Sequence, residues 1–99
     1  ALLHPAKGKA DVIAVTNEFM GDFTMKFTLK SDLGELAQLP VSVFLDNIHK
    51  MTVSVQGTNG KWVEESRILN MEFGHNHYIK FYYGADNLEI KEIVLTPNR

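Results

Sequence analysis

Two histidines, His75 and His77, lie two residues apart in the segment GHNHY, and imidazole is a common ligand of transition metals. On a β-strand this spacing would turn both imidazoles to one face. The glycine and the asparagine beside them indicate a turn instead, and two histidines on an exposed turn are usually solvated. The other histidines are distant in the sequence and the chain has no cysteine, so we expect no metal site.

Acidic and hydroxyl side chains are present without the arrangement that catalysis needs. Glu64 and Glu65 are adjacent, and Glu89 and Glu92 lie close together on one predicted strand. Glycoside hydrolysis needs two carboxylates that flank the scissile bond. No serine stands in a G-x-S-x-G turn, and no glycine-rich phosphate loop opens a helix. The sequence therefore predicts a protein that is not an enzyme.

The only tryptophan, Trp62, comes just after the Asn59-Gly60 pair in GTNGKW. An Asn-Gly pair adopts positive φ easily and predicts a tight turn, so the next strand would begin at Trp62. Alternation along that strand places Trp62 on the face opposite Val63 and turns the indole outward. An outward indole is a platform for a ligand or a protein interface, whereas an inward one would fill the core. The pattern favours the platform.

Two tyrosines form a second aromatic candidate. In HYIKFYY, Tyr78 and Tyr82 share one face with Lys80, while Ile79 and Phe81 lie on the other. Aromatic rings with polar tips suit the apolar face of a sugar ring. A cross-strand aromatic pair that supports the sheet would show the same residues, so both interpretations remain open.

Composition limits the class of protein further. Ten basic and twelve acidic residues give a formal net charge of −2, without the basic excess that nucleic-acid binding usually needs. No apolar run approaches the ~20 residues of a membrane-spanning helix. Ninety-nine residues, 44% of them hydrophobic, predict one domain over residues 1–99, with an irregular N-terminal segment at residues 1–10.

Alternation of apolar and polar residues, the pattern of a half-buried β-strand, dominates the chain. It is clearest in DFTMKFTLK, KMTVSVQ and HYIKFYY. PVSVFLD predicts a strand that begins at Pro40, because the first residue of a strand can lack its N–H. DVIAV and EIVL complete six or seven strands, and SDLGELAQL is too interrupted for a long helix. The sequence predicts an all-β, antiparallel sandwich or barrel.

Five segments follow one another in the order found in carbohydrate-binding modules of families 6 and 35. MGDFTMKFTLK resembles their "aGxYxxxxxY" strand, PVSVFLDN the strand that ends in a "vNG" turn, and MTVSVQGTNGKW the next strand with its "tggW" turn. MEFGHNHYIKFYY resembles the "v.l..G.N.I.l" hairpin, and GADNLEIKEIVL the closing "g.NLdxIxl" strand. The resemblance covers residues 11–95 and implies an antiparallel β-sandwich of the jelly-roll, galactose-binding-like type.

The resemblance also implies a function. Such modules are non-catalytic and hold an enzyme or a cell-surface assembly against a polysaccharide. We therefore expect an oligosaccharide or polysaccharide ligand, an associated catalytic domain, and a secreted or cell-surface location, with no nucleic-acid partner and no insertion into a membrane.

The family also implies binding residues. In family 6, a cleft among the loops at one end of the sandwich uses a stacking tyrosine, the tryptophan of the "tggW" turn and the asparagine before the last strand. By position these implied sugar-binding residues are Trp62 and Asn87, and the exposed Tyr78 and Tyr82 are further candidates. No residue before Gly21 matches the stacking tyrosine.

One feature departs from this family pattern. The first third of a usual module, with its paired glutamates for a structural calcium, is not recognisable, so calcium ligands are unassigned and no cofactor is expected.

A structural β-sandwich is the alternative to a sugar-binding module. It would pack against a neighbouring domain or chain, with Trp62, Tyr78 and Tyr82 in the interface.

Overall fold

In the described part of the chain, seven β-strands form two antiparallel sheets. The computed structural model describes residues 3–16, 21–71 and 76–98. Its strands are β1 (Ala10–Thr16), β2 (Gly21–Lys30), β3 (Gln38–Leu45), β4 (Ile48–Gln56), β5 (Val63–Met71), β6 (Asn76–Tyr83) and β7 (Glu89–Pro97). One sheet has the order β1-β6-β3-β4 and the other β5-β2-β7, with every pair antiparallel. The predicted all-β sandwich is confirmed.

The core between the two sheets is formed by every second side chain of the strands, because apolar and polar residues alternate along them. Along β2 the side chains of Phe23, Met25, Phe27 and Leu29 are buried, whereas the residues between them face outward. Phe27 meets Phe81 of β6 edge to face, with ring centroids 5.9 Å apart. Because β2 and β6 belong to different sheets, this contact joins the two layers. Aromatic pairs in this geometry contribute about 1 kcal/mol beyond the area they bury.

The strand predicted to begin at Pro40 begins two residues earlier, at Gln38. Pro40 is tolerated inside β3 because of the side that its nitrogen faces. The carbonyl oxygen of Pro40 accepts a hydrogen bond from the N–H of Gly84, which lies just beyond the end of β6. The nitrogen of Pro40 faces the same side, where pairing with β6 starts only at Val41, so no ladder hydrogen bond is lost.

His77 is buried, which corrects the prediction that it lies on an exposed turn; His75 lies outside the described residues. β6 already begins at Asn76, and alternation with Ile79 turns His77 toward the interior. Its Nδ1 lies 2.6 Å from Oδ2 of Asp46, and an ionised carboxylate can only accept, so Nδ1 carries the hydrogen. The other Asp46 oxygen accepts the backbone N–H of Tyr78 at 2.9 Å. Asp46 thereby fastens the β3–β4 turn to β6.

Removing the charge of Asp46 gives a pH-dependent loss of stability. The hydrogen bond from His77, followed by that from the Tyr78 N–H, holds the pKa of Asp46 below the ordinary aspartate value of 3.8. A lowered folded pKa means that this stability is present above pH 3.8 and is lost as the pH falls through the folded value. We expect Asp46→Asn to melt slightly below the wild type at neutral pH, with the difference vanishing in acid. Thermal unfolding across pH measures it, and a pH-independent difference contradicts the assignment.

Candidate functional site

Four chain segments gather at one end of the sandwich, which we call the loop end: residues 3–9, 31–37, 57–62 and 84–88. They meet there because the strands alternate in direction, so that β2, β4 and β6 end at the same place and β1, β3, β5 and β7 begin there. Trp62 and Asn87 both belong to this end. The structure therefore places the two residues assigned by resemblance at one end of the fold.

Hydrogen bonds tie the β2–β3 and β4–β5 loops together at the loop end. The Thr58 hydroxyl donates to the Ser31 carbonyl and accepts from the Ser31 N–H, both at 2.9 Å. The N–H of Asn59 donates to the carbonyl of Leu33, and that of Gly60 to the carbonyl of Ser31. Asn59 and Gly60 have φ of 54° and 78°, the left-handed turn that an Asn-Gly pair predicts. This turn links strands of different sheets and delivers Trp62 to the first position before β5.

Asn87 ties the β6–β7 loop to this pair of loops. Its backbone is left-handed, with φ 63°, and its Oδ1 accepts the N–H of Asp32 at 3.2 Å. The side chain is exposed, and no hydrogen bond from its Nδ2 to another described residue is present. The amide hydrogens thus remain available to a ligand while the oxygen holds the loop.

Asn87→Gly removes both side-chain roles but keeps the left-handed backbone. Glycine adopts positive φ without strain, so we expect the variant to unfold within about 1 kcal/mol of the wild type. Binding of a sugar should weaken about fivefold, the effect of one lost hydrogen-bonding group. Asn87→Ala is the contrasting control: the Cβ of alanine is strained at this φ and alanine lacks the polar side chain that offsets the strain in asparagine, so it should be about 1–2 kcal/mol less stable than Asn87→Gly. Titration and chemical unfolding measure the two effects, and unchanged binding by Asn87→Gly would leave Asn87 with a structural role only.

Trp62 is 45% exposed and faces outward, as the alternation predicts. Two ammonium groups lie over its ring: Nζ of Lys30 is 5.0 Å from the ring centroid and Nζ of Lys91 is 5.6 Å from it. Lys30 is itself fixed by an ion pair with Glu89 at 3.1 Å. Cation–π contacts at exposed sites stabilise by about 0.5–1 kcal/mol each. The indole is therefore oriented before any ligand arrives.

Trp62 forms one wall of an open depression of about 530 Å³, which we call the Trp62 groove. Residues 3–6 and 88–91 form its other walls. The N-terminal wall is held in place by hydrogen bonds from the N–H of His4 to Asp11 and from the N–H of Lys7 to Asp86, both at 2.8 Å. The groove combines one broad apolar surface with several polar groups, which is the composition of a small-ligand site.

Tyr78 and Tyr82 lie elsewhere, on the outer face of the β1-β6-β3-β4 sheet, which we call the tyrosine face. They are 60% and 44% exposed and flank Lys80. Their partners on neighbouring strands are small: Ala14 opposite Tyr78, and Ala10 and Ser42 opposite Tyr82. They form no cross-strand aromatic pair with these partners, and the four candidate residues thus divide into two separate surfaces.

Three of the four acidic residues considered for catalysis are engaged in ion pairs: Glu64, Glu65 and Glu89. Glu64 pairs with Lys26 at 3.2 Å, and Glu65 pairs with Arg67 at 3.2 Å. Within the described residues, no cluster of three or more His, Asp or Glu side chains could hold a metal ion. The same ranges contain no helix that could cross a bilayer.

A hydrogen bond between Tyr83 and Asp11 helps to fix the N-terminal wall of the groove. The Tyr83 hydroxyl is buried and donates to Oδ2 of Asp11 at 2.7 Å, the carboxylate that also receives the His4 N–H. Burial, followed by the neighbouring Asp11 carboxylate, raises the pKa of Tyr83. The phenol is therefore a neutral donor at all physiological pH values and fixes Asp11 beneath the N-terminal segment.

The lysines around Trp62 were not among the residues assigned from the sequence. Lys30 and Lys91 are separated from Trp62 by about thirty residues in opposite directions, and only the pairing of β2 with β5 and β7 brings them to it. The one signal available in the sequence is that Lys30 continues the outward-facing side of β2.

Comparison with known proteins identifies this fold in carbohydrate-binding modules. No family model and no curated sequence matches the chain. A family 35 carbohydrate-binding module from an environmental isolate superposes with a TM-score of 0.80 at 13% identity, over 94% of this chain and 69% of that one. The module CBM6cm-2 of Cellvibrio mixtus lichenase 5A, in complex with cellotriose, has a TM-score of 0.78 at 14% identity, over 94% of this chain and 73% of that one.

A larger protein contains a similar unit. A β-glucosidase from Paenibacillus barengoltzii has a TM-score of 0.72 at 25% identity, over 85% of this chain, which spans 9% of that enzyme. The predicted resemblance to family 6 and family 35 modules is thus confirmed at the level of the fold.

Proposed function

We propose that this protein is a non-catalytic carbohydrate-binding module whose Trp62 groove holds an oligosaccharide or a segment of polysaccharide. The observation that carries the proposal is a half-exposed indole at the loop end of a sandwich with this fold. The Cellvibrio module with this fold is in complex with cellotriose, which supports a sugar ligand.

Stacking on Trp62 supplies the apolar part of the binding energy. The flat face of a pyranose carries C–H groups, and covering ~80 Å² of indole surface at ~25 cal/mol per Å² stabilises by ~2 kcal/mol. Asn87, which holds the neighbouring loop, offers its amide hydrogens to the hydroxyl oxygens of the sugar. Net affinity is modest, because a flexible and well-hydrated sugar must be ordered and desolvated.

Tyr78 and Tyr82 are proposed as a second contact surface for a longer chain. Their exposed rings stand on one strand with Lys80 between them, and the Lys80 ammonium is held 4.5 Å above the ring of Phe44. A depression of about 310 Å³ opens beside Tyr78, lined by Val12, Asp46 and Asn47 as well as Lys80. A short ligand confined to the loop end would not reach this face.

The proposed module works attached to, or beside, a glycoside-active protein that is secreted or displayed at the cell surface. The occurrence of a similar unit within a β-glucosidase supports such an arrangement. In this role the module contributes proximity: it raises the local concentration of the attached protein at the polysaccharide without taking part in the reaction.

Isothermal titration calorimetry against xylan, mannan, glucan and galactan oligosaccharides tests the proposal. We expect saturable binding to at least one member, with little loss in the double variant Tyr78→Ala/Tyr82→Ala when the oligosaccharide is short. Silence across the panel contradicts the function. If binding instead disappears in the double tyrosine variant, the binding site lies on the tyrosine face.

A further inference from the structure

Asn59 is an exposed asparagine followed by a glycine, the combination that is most open to deamidation. The chain contains one such Asn-Gly pair. Asparagine is a thermolabile residue, because the backbone nitrogen of the next residue can attack its side-chain amide. Glycine leaves that nitrogen unshielded, since it has no Cβ, and it adopts the backbone conformations that ring closure needs. Asn59 therefore places a reactive group at the loop end, apart from the residues proposed to bind sugar.

The reaction exchanges the amide of Asn59 for a carboxylate, with water as the only co-reactant and no change of oxidation state. The nitrogen of Gly60 loses its proton and bonds to Cγ of Asn59. The bond from Cγ to Nδ2 breaks, and Nδ2 takes up a proton and leaves as ammonia. Water then opens the cyclic imide at one of its two C–N bonds. One opening gives aspartate, and the other gives isoaspartate, whose backbone is longer by one CH2 group.

In the folded protein the nitrogen of Gly60 is not free to attack. Its N–H donates to the carbonyl of Ser31 at 2.8 Å, and this is the proton that the reaction must remove. The N–H of Asn59 donates to the carbonyl of Leu33 at 2.9 Å. Both bonds cross from the β4–β5 loop to the β2–β3 loop, and both turn residues are held at positive φ. Cyclisation therefore requires that the two loops first separate.

Two other asparagines share the backbone conformation and the exposure of Asn59. Asn47 and Asn87 have φ of 68° and 63°, against 54° for Asn59, and all three residues are exposed. They are followed by Ile48 and Leu88, whose side chains crowd the nitrogen that would attack. The three sites thus differ mainly in the residue that follows, which makes Asn47 and Asn87 internal controls.

We propose that Asn59 is a deamidation site that the native turn holds unreactive, and that separation of the β2–β3 and β4–β5 loops exposes it. Trp62 follows on the same loop, so the reaction reports on the loops that carry the indole. The proposal does not depend on the sugar-binding function.

The expected protection has the size of the two cross-loop hydrogen bonds. Each contributes about a fivefold factor, so deamidation of Asn59 should be about 30-fold slower in the folded protein than in the unfolded chain. Asn47 and Asn87 should react far more slowly than Asn59 once the chain is unfolded, because neither is followed by glycine.

Peptide mapping by mass spectrometry tests the proposal. The full chain is incubated in mildly alkaline buffer, with and without guanidinium chloride, and is then digested with trypsin. Cleavage after lysine gives peptide 51–61 with Asn59, peptide 31–50 with Asn47 and peptide 81–91 with Asn87. In the denaturant, peptide 51–61 should gain the mass expected for the exchange of NH2 for OH before the other two peptides do.

Thr58→Val assigns the protection to the contact between the loops. The Thr58 hydroxyl donates to the carbonyl of Ser31 and accepts its N–H, both at 2.9 Å. Ser31 is buried, so an N–H left without a partner favours opening. We expect deamidation of Asn59 in the folded variant to be about tenfold faster than in the wild type. In the denaturant the two proteins should react at the same rate.

Thr52→Val is the matched control for Thr58→Val. It removes an exposed hydroxyl from β4 within the same tryptic peptide, where Thr52 bonds to Ser42 and His49 away from the loop end. Its rate should equal that of the wild type in buffer and in denaturant. A second measurement needs no variant: below the unfolding transition of the wild type, the rate should already rise with the denaturant, because the loops open locally.

Four outcomes overturn the proposal. Peptide 51–61 that keeps its mass in the denaturant shows that Asn59 is not a deamidation site. Equal rates in buffer and in denaturant show that the turn gives no protection. A folded Thr58→Val protein that reacts as slowly as Thr52→Val shows that the contact between the loops does not control the reaction. A wild-type rate that rises only with global unfolding excludes local separation of the loops.

Discussion

Trp62→Ala is expected to weaken sugar binding about 30-fold, because ~2 kcal/mol of stacking is lost and every 1.4 kcal/mol is a factor of ten. The fold should tolerate the change, since nearly half of the indole is already in solvent and the residue lies outside the regular part of β5. Calorimetry on the tightest oligosaccharide of the panel measures the affinity, and thermal unfolding measures the stability.

Ile68→Ala is the matched control for this variant. Ile68 is 53% exposed on the outer face of the same three-stranded sheet. Its replacement by alanine also removes an exposed apolar side chain, but one that lies away from the loop end. Its affinity should equal that of the wild type. Equal affinity for Trp62→Ala and Ile68→Ala would move the binding site away from the indole.

Gly57→Ala should lower the free energy of unfolding by about 3 kcal/mol, or the melting temperature by about 15 °C for a domain of this size. Gly57 is buried where the β4–β5 loop crosses the β2–β3 loop. A Cβ there would lie directly against the carbonyl oxygen of Gly34 and 2.5 Å from that of Leu33. Both obstacles are backbone atoms, so relief requires the two loops to separate, and that separation would displace Trp62.

Gly34→Ala provides the comparison for Gly57→Ala. A Cβ on Gly34 would approach only Oδ1 of Asn59, at the ordinary contact distance of 3.7 Å, and Gly34 has no positive φ. Chemical unfolding should therefore find it close to wild-type stability. A Gly57→Ala protein as stable as Gly34→Ala would show that the packing of these loops does not hold the site together.

Local alternation predicted most of the fold, because the pleat of a strand makes burial depend on every second residue. It identified the segments of β2, β4 and β6 and the inward faces of each. The ends of the strands were less predictable. Pro40 can lie inside β3 because its nitrogen faces β6, whose pairing with β3 starts only at Val41. Because β6 is about forty residues away in the sequence, local rules do not show this. The burial of His77 follows from the alternation of β6, which places it on the face of Ile79, but the glycine and asparagine beside it indicate a turn instead.

The candidate site could be predicted only in part. The outward position of Trp62 and the left-handed turn before it follow from local rules, and the structure agrees with both. The lysines over the indole do not follow from local rules, because they reach it through strand pairing and a bulge in β7. Only the assembled sandwich shows that Tyr78 and Tyr82 lie on a different surface from Trp62.

The emission of Trp62 during a titration with oligosaccharides tests the central claim most directly, because it is the only tryptophan in the chain. We predict a saturable blue shift with the same midpoint as calorimetric binding, since a stacked sugar removes water from an indole that is 45% exposed. Emission that stays unchanged while calorimetry registers binding, or an absence of binding to every sugar tested, would contradict the account.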